Sequence, residues 1–236
     1  MARSEAPPLT LVFDADDTLW DSNIHFLEAF DQFAAAITAA GIAIAVTEIK
    51  SVVHRTELEL IGTLGYGRRP YVTALAQAAR ELASMEEALL TPILAEVDRI
   101  GTHLVERTCE LLPDVEVTLR ELSTRHRLML FTKGNRDEQL PKLERSGLAP
   151  LFDRVETPRE KDVHAYRRLV QAAELAPAAT VMIGNSPRSD INPAVRAGLR
   201  AVYIPHPHTW ELEHEELDDD ERIIELPAFR NLVEIF

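Results

Sequence analysis

Apolar residues change period along the chain, and the changes divide it into parts. The run "LTLVF", Leu9 to Phe13, is short, apolar and closed by polar residues, so it predicts a buried strand. A helical period follows. Ile24, Leu27, Phe30, Phe33, Ala34 and Ile37 recur at three- and four-residue steps, and Gly41 stands where that helix can end. Thr47 is a candidate N-cap for a second helix carrying Ile49, Val52, Val53 and Ile61 as far as Gly65. A loop, "GYGRRP", then leads to two more helices, about Tyr71 to Ala88 and Pro92 to Leu112. Residues 21–110 thus predict a small helical bundle without a strand.

After Pro113 the pattern alternates. A helix at about 114–125 leads to the strand "RLMLF" (127–131), a helix near 136–146, a short strand at Arg154 to Glu156 and a helix from Asp162 to Glu174. The strand "TVMIG" (180–184), the helix "INPAVRAG" (191–198) and the strand "AVYIP" (201–205) complete the series. Apolar strands alternating with helices indicate a parallel sheet covered on both faces. The predicted fold class is therefore α/β, a doubly wound, Rossmann-like parallel sheet with an inserted all-helical domain. The sheet domain takes residues 1–20 and 111–236, and the insert takes 21–110. The acidic tail "HPHTWELEHEELDDDERIIEL" reads as a solvated surface loop, because the spacing of His206, His208 and His214 fits no compact ligand set.

Composition narrows the function. With 236 residues, 46% of them hydrophobic, the chain can bury a substantial core. Its net charge of −14 repels phosphate backbones and anionic lipid, so neither nucleic acid nor membrane is expected as a partner. The one cysteine, Cys109, forms no intrachain disulfide and reads as a small apolar residue on a buried helix face. No stretch reaches the roughly 18 apolar residues of a membrane span. "MARSEAPP" lacks the apolar centre of a signal peptide, so a cytoplasmic location is expected. Alanine and arginine are abundant and lysine is scarce, as in bacteria of high genomic GC content. The lysines are Lys50, Lys133, Lys142 and Lys161.

In parallel α/β sheets ligands bind beyond the carboxyl ends of the strands. The polar residues just after the predicted strands are Asp14 and Asp16, then Thr132, then Asn185, Ser186 and Asp190, with Lys161 approaching the helix after the third strand. Clustered carboxylates repel one another and are costly to desolvate unless a divalent cation such as Mg²⁺ sits among them. With a cation bound, a dianionic phosphate can approach an anionic carboxylate, which can then attack phosphorus. A second carboxyl two residues along can serve as acid and base. A capping turn before the next helix would also use acids here, but Asp21 or Ser22 could cap alone. No Walker loop and no G-x-S-x-G elbow occurs, and "GYG" does not extend to a dinucleotide-binding pattern.

"FDADDTLW", Thr132 after "LMLF", Lys161 in "EKD" and "GNSPRSD" after "TVMI" together resemble the haloacid dehalogenase superfamily in its phosphatase branch. All four motifs occur in order, from Leu9 to about Pro205. The resemblance implies Asp14 as nucleophile, Asp16 as general acid/base with its main-chain carbonyl on Mg²⁺, Thr132 and Lys161 on the phosphate, and Asp190 on the metal. It also implies that the helical insert is a cap that closes over small substrates. Members that displace halide generally lack the Asp16 carboxyl, so its presence favours phosphate esters. Two positions depart from the family pattern. Asp17 stands where glycine is common and reads as a solvent-facing turn residue without a catalytic part. Asn185 stands where an aspartate is usual; it keeps a carbonyl oxygen for the metal but loses a charge, so weakened metal binding is expected. Lys133 reads as an exposed turn residue with its backbone near the phosphate, and Gly134 suits the same turn. Arg68 and Arg69 could meet an anionic part of the substrate, or could simply be solvated.

The expected activity is Mg²⁺-dependent hydrolysis of a small phosphorylated metabolite through an aspartyl-phosphate on Asp14, by a monomer or homodimer. The alternatives are a phosphomutase or dehalogenase on the same site, or a weakly active protein that binds phosphometabolites.

Overall fold

A computed structural model describes residues 7–84, 86–108 and 110–236. The reading of Cys109, and most of the amino-terminal stretch read for a leader, lie outside the described residues. The chain divides into two compact units, Met1–Asn23 with Cys109–Phe236, and Ile24–Thr108.

The first unit is built on six parallel strands. They are β1 (Thr10–Phe13), β2 (Arg127–Phe131), β3 (Arg154–Glu156), β4 (Thr180–Gly184), β5 (Arg200–Tyr203) and β6 (Ile223–Glu225), in the order β3-β2-β1-β4-β5-β6. β1 lies between β2 and β4, with Leu11 level with Leu128 and Val181. The central strands β1, β2 and β4 are apolar and buried along most of their length because both faces are covered. Leu11, Phe13, Leu128, Leu130, Val181 and Ile183 pack with Val115, Leu119 and Leu122 of one helix (Val115–Leu122) and with Phe229 and Leu232. Val12, Met129, Phe131 and Met182 point the other way, onto Ala165, Tyr166 and Leu169 of the helix Val163–Ala172 and onto Ala194. The odd and even residues of a strand thus feed two separate cores. The order reverses between β1 and β4, and such a reversal is where doubly wound sheets open a crevice.

The second unit contains α1 (Asn23–Ala39), α2 (Val46–Leu64), α3 (Arg68–Leu82) and α4 (Glu87–Glu106). Phe33, Ile37, Ile49, Val53, Leu75, Ala78, Ile93, Val97 and Ile100 form its own core. Gly101 allows the closest approach there, since a Cβ at that position would lie 2.9 Å from a Val72 methyl.

Several boundaries depart from the sequence reading. Thr47 does not cap α2; Ala45 occupies the cap position and the helix begins at Val46. The "GYGRRP" loop shrinks to residues 65–67, because α3 already begins at Arg68. α3 stops at Leu82, and Ser84, at φ 50°, turns the chain before α4. The tail is not a simple solvated loop: it supplies β6, whose Ile223 pairs with Ala201, and Asn192 holds the main chain of Glu216 and Asp218. A short Ile-Ile pair inside an acidic run gave no periodic signal for that strand.

Candidate active site

The ends of β1 and β4 carry the chemistry. The Asp14 amide donates to Ile183 O at 2.9 Å, so the β1–β4 ladder continues one residue past the strand and fixes Asp14 at the mouth of the sheet. From there the chain turns sharply. The amides of Thr18 and Leu19 donate to Ala15 O, and Asp17, at φ 61°, occupies the left-handed region that glycine adopts at no cost. Asp17 is buried, not solvent-facing, which corrects the sequence reading. Its carboxylate accepts from the amides of Ser22 and Asn23 at 2.8 and 3.0 Å and so caps the start of α1. Burial nevertheless pushes the Asp17 carboxyl up to about 7, with the neighbouring acids adding to the effect.

On β4, Gly184 is required by what lies against it: a Cβ there would stand 2.2 Å from Asp190 Oδ2. After the strand the chain forms a wide π-turn over Pro187–Ile191 before the short helix Asn192–Arg196. This replaces the single helix expected at 191–198. The turn carries Asp190 back so that its Oδ2 accepts from the Ser186 amide at 3.0 Å. π-Turns of this kind are frequent at functional sites.

Lys161 joins the two ends. Its Nζ donates to Asp14 Oδ1, to Asp190 Oδ1 and, at 3.3 Å, to Phe131 O, and its side chain is 2% exposed. Burial opposes the ammonium charge, yet Asp14 and Asp190 hold it above the usual lysine range. One lysine is not enough for two buried acids. Burial raises the Asp14 carboxyl, and it pushes Asp190 up to about 7, with the Asp14 charge adding to the shift. A further positive charge among these oxygens would stabilise both ionised forms.

Asn185 supplies another oxygen. The Thr18 hydroxyl lies 3.0 Å from Asn185 Oδ1 and 3.2 Å from Asp14 Oδ2, so the two oxygens converge on it. The orientation of the amide is set from behind. Thr209 Oγ1 donates to His206 O at 3.0 Å, which leaves it only a lone pair to offer, and Asn185 Nδ2 donates to that lone pair at 2.9 Å. An amide suits a hydroxyl already committed to His206 O, whereas a carboxylate would require that hydroxyl to turn and give up its bond to His206 O.

Asp16 occupies a different environment. Lys142 Nζ lies 2.9 and 3.2 Å from its two oxygens, Gln139 Nε2 donates at 2.8 Å and Trp20 Nε1 at 2.7 Å. Burial opposes ionisation, but Lys142, followed by these donors, holds the carboxyl well below its ordinary range. The residues of this clamp were not identified from sequence. The available signal was that Lys142 is one of only four lysines and shares a helix face with Gln139, three residues before it.

Lys133 is also not the exposed turn residue expected. Its side chain is 13% exposed and pairs with Glu213 of the tail, while Ser189 Oγ lies 3.3 Å away. Glu213 also accepts from Ser186 Oγ at 2.5 Å. Burial opposes its charge, but Lys133 and the serine hydroxyls bring the Glu213 carboxyl down to about 2. Thr132 is buried at the end of β2, its amide donating to Glu156 O at 3.1 Å. Gly134 has φ 127°. In the helical unit, Arg68 is buried at the start of α3 and donates to Arg107 O at 2.7 Å, where the carbonyls ending α4 need donors. Arg69, beside it, is exposed.

Buried paired carboxylates, a bridging lysine and a strand-end hydroxyl, arranged at the switch point of a doubly wound sheet, define an α/β hydrolytic centre. The chain belongs to the haloacid dehalogenase-like hydrolases, whose family model matches residues 9–198. Hydrolases of this family generally use a divalent metal ion. A haloacid dehalogenase-like hydrolase from Xanthomonas campestris is 26% identical, with a TM-score of 0.81 over 97% of this chain and 94% of that one. A HAD-hydrolase from Bacillus subtilis solved with magnesium shares the fold at 18% identity, with a TM-score of 0.62 over 98% of this chain and 99% of that one. A phosphoserine phosphatase from Thermus thermophilus is 35% identical over 104 residues, a match spanning 42% of this chain and 42% of that relative. No helix among the described residues is long and apolar enough to cross a membrane.

Proposed function

We propose that the chain is a phosphatase that hydrolyses small phosphate monoesters through an aspartyl-phosphate on Asp14, and that Mg²⁺ is its metal. The observation that carries this reading is the sharing of Lys161 between Asp14 and Asp190, both of which burial pushes toward protonation. The donor set fits a hard cation, since Asp14, Asp190 and the Asn185 carbonyl all offer oxygen. Those groups, with the main-chain carbonyl of Asp16, would hold Mg²⁺, which supplies the charge that lets a dianionic phosphate approach an anionic nucleophile.

The residues divide the work. An Asp14 oxygen attacks phosphorus, the bond to the leaving oxygen breaks, and that oxygen takes a proton from Asp16. Water then attacks the phosphorus of the acyl phosphate, giving its proton to Asp16 and freeing Asp14. Lys161 offsets charge on Asp14 and the phosphate, while Thr132, Lys133 and Gly134 contact the transferring group. Asp16 at rest is held ionised by Lys142, the form needed in the second step. Its acid step therefore requires the Lys142 contact to loosen. A carboxyl placed for proton transfer favours phosphate esters over halides, whose leaving group needs no proton. Arg69, exposed in the helical unit, is the arginine proposed to meet an anionic group of the substrate.

The test is Mg²⁺-dependent release of phosphate from an aryl phosphate and from phosphoserine, the substrate in the name of the Thermus relative. Asp14→Asn is expected to reduce hydrolysis at least 10³-fold, the scale for removal of a covalent nucleophile. Retained hydrolysis in that variant would overturn the mechanism.

A further inference from the structure

We propose that Asp21, His206 and His208 form a second metal site, built for a transition-metal dication such as Zn²⁺ and distinct in residues and donor type from the oxygen-donor centre at Asp14. One ligand atom from each of the three lies within 4.8 Å of the other two. His206 Nε2 stands 3.3 Å from Asp21 Oδ1. Two ligands bound at about 2.0–2.1 Å to a tetrahedral ion are separated by about 3.3 Å, so this pair already has a suitable spacing. The imidazoles of His206 and His208 meet edge to face, at an interplanar angle of 74°. His208 Nδ1 is buried and has no hydrogen-bond partner among the described residues.

The three side chains hang on tied backbone. The Asp21 amide donates to Glu110 O at 3.0 Å, Asn23 Nδ2 donates to His208 O at 2.7 Å, and the Thr209 amide donates to His206 O at 3.1 Å. A ligating imidazole also needs its far nitrogen supported. His206 Nδ1 accepts from the His208 amide at 3.3 Å; with a metal on Nε2 the proton moves to Nδ1, that contact gives way as the ring turns, and Asp17 Oδ1, 3.9 Å away, is the carboxylate able to receive it. Burial disfavours the charged form of His206, which leaves it in the neutral state that ligates. Two imidazoles and one carboxylate select Zn²⁺, Co²⁺ or Ni²⁺ over Mg²⁺, the reverse of the preference at Asp14. The site borders the catalytic machinery through Thr209, which follows His208 and fixes the amide of Asn185.

The full chain, with Mg²⁺ in large excess to fill the oxygen-donor centre, is titrated with Zn²⁺ by calorimetry and with Co²⁺ by visible absorption. One Zn²⁺ per chain is expected, together with a Co²⁺ d–d band that is removed by Zn²⁺. His206→Gln and His208→Gln are each expected to weaken binding at least tenfold, and Asp17→Asn about tenfold as an outer partner. Should a variant fail to fold, long-range ¹⁵N–¹H spectra of wild-type histidines report directly: Zn²⁺ is expected to shift two of the eight histidines. Absence of binding under excess Mg²⁺, unchanged affinity in the double glutamine variant, or unshifted histidine resonances would each overturn the proposal.

Discussion

Asp14 and Asp16 stand two residues apart at one strand end, each against a lysine, and yet they are driven in opposite directions. Lys161 divides its charge between Asp14 and Asp190, and burial dominates there, so both carboxyls are raised. Lys142 serves Asp16 alone, beside Gln139 and Trp20, and Asp16 is lowered. The difference is one of stoichiometry: one ammonium for two carboxylates leaves a charge deficit, whereas one for one does not. A deficit at rest is what a centre awaiting a cation and a phosphate requires, whereas the Lys142 clamp fixes Asp16 in its ionised form and must loosen before the carboxyl can exchange protons.

The comparison breaks most severely at Lys161. Lys161→Met removes the side-chain ammonium hydrogen-bonded to Asp14 and Asp190 and leaves two buried acids facing each other. Removing one partner of a buried charge pair costs about 3–5 kcal/mol, and chemical denaturation at pH 8 is expected to read a loss of that size. The loss is expected to shrink toward pH 5. With Lys161 gone the acids are raised further above the unfolded value near 4, so protonation relieves their repulsion as pH falls. Added Mg²⁺ is expected to recover part of the stability, and a variant as stable as wild type would remove the charge-deficit argument.

The strands that frame this centre, and the side chains at their ends, were legible because both obey short-range rules. β1, β2 and β4 are unbroken apolar runs, and Asp14, Thr132, Lys161 and Asp190 follow them at positions that parallel-sheet topology makes adjacent. The clamp on Asp16 was not legible, because Lys142 and Gln139 lie more than 120 positions away on a helix whose rotation no periodicity specifies. Asn185 looked like a loss of charge until Thr209, 24 positions on, proved to accept from its amide. The return of Glu213 to Lys133 depends in the same way on a contact that forms only when the tail folds back. What escaped the sequence is chiefly pairing at long range, together with β6 and the π-turn over Pro187–Ile191, which no periodicity marks.

A smaller change sharpens the contrast at Asp16. Lys142→Met keeps the aliphatic stem and removes the charge, and because the Asp16 side chain is 30% exposed the expected cost is about 1–2 kcal/mol. The sign of its pH dependence follows from the lowered carboxyl. Stabilisation by Lys142 is fully present above the unfolded value near 4 and is lost as pH falls through the depressed folded value, so wild type and variant are expected to converge in acid. Activity tests the role rather than the stability. With Lys142 gone the Asp16 carboxyl rises, and the alkaline limb of the kcat/KM profile, which needs the protonated acid of the first step, is expected to move to higher pH. An unmoved limb would show that Asp16 does not set it.

The third lysine of the site gives the smallest expected effect and the finest test, because its carboxylate comes from the tail. Glu213 is lowered to about 2, so its pairing with Lys133 resembles the Asp16 clamp rather than the Asp14 centre. Glu213→Gln keeps an acceptor for Ser186 and removes only the charge, at an expected cost of about 1 kcal/mol at pH 7. That contribution is fully present above the unfolded value near 4.5 and fades as pH falls toward 2, so thermal melts at pH 7 and pH 3 are expected to differ more for wild type than for the variant. The same substitution frees Lys133 from its carboxylate partner. If Lys133 contacts the phosphate, KM for the aryl phosphate is expected to fall while kcat holds; if its part is only to anchor the tail, stability changes and KM does not. That split separates a substrate contact from a tether at a residue for which phosphate and Glu213 are both anionic partners.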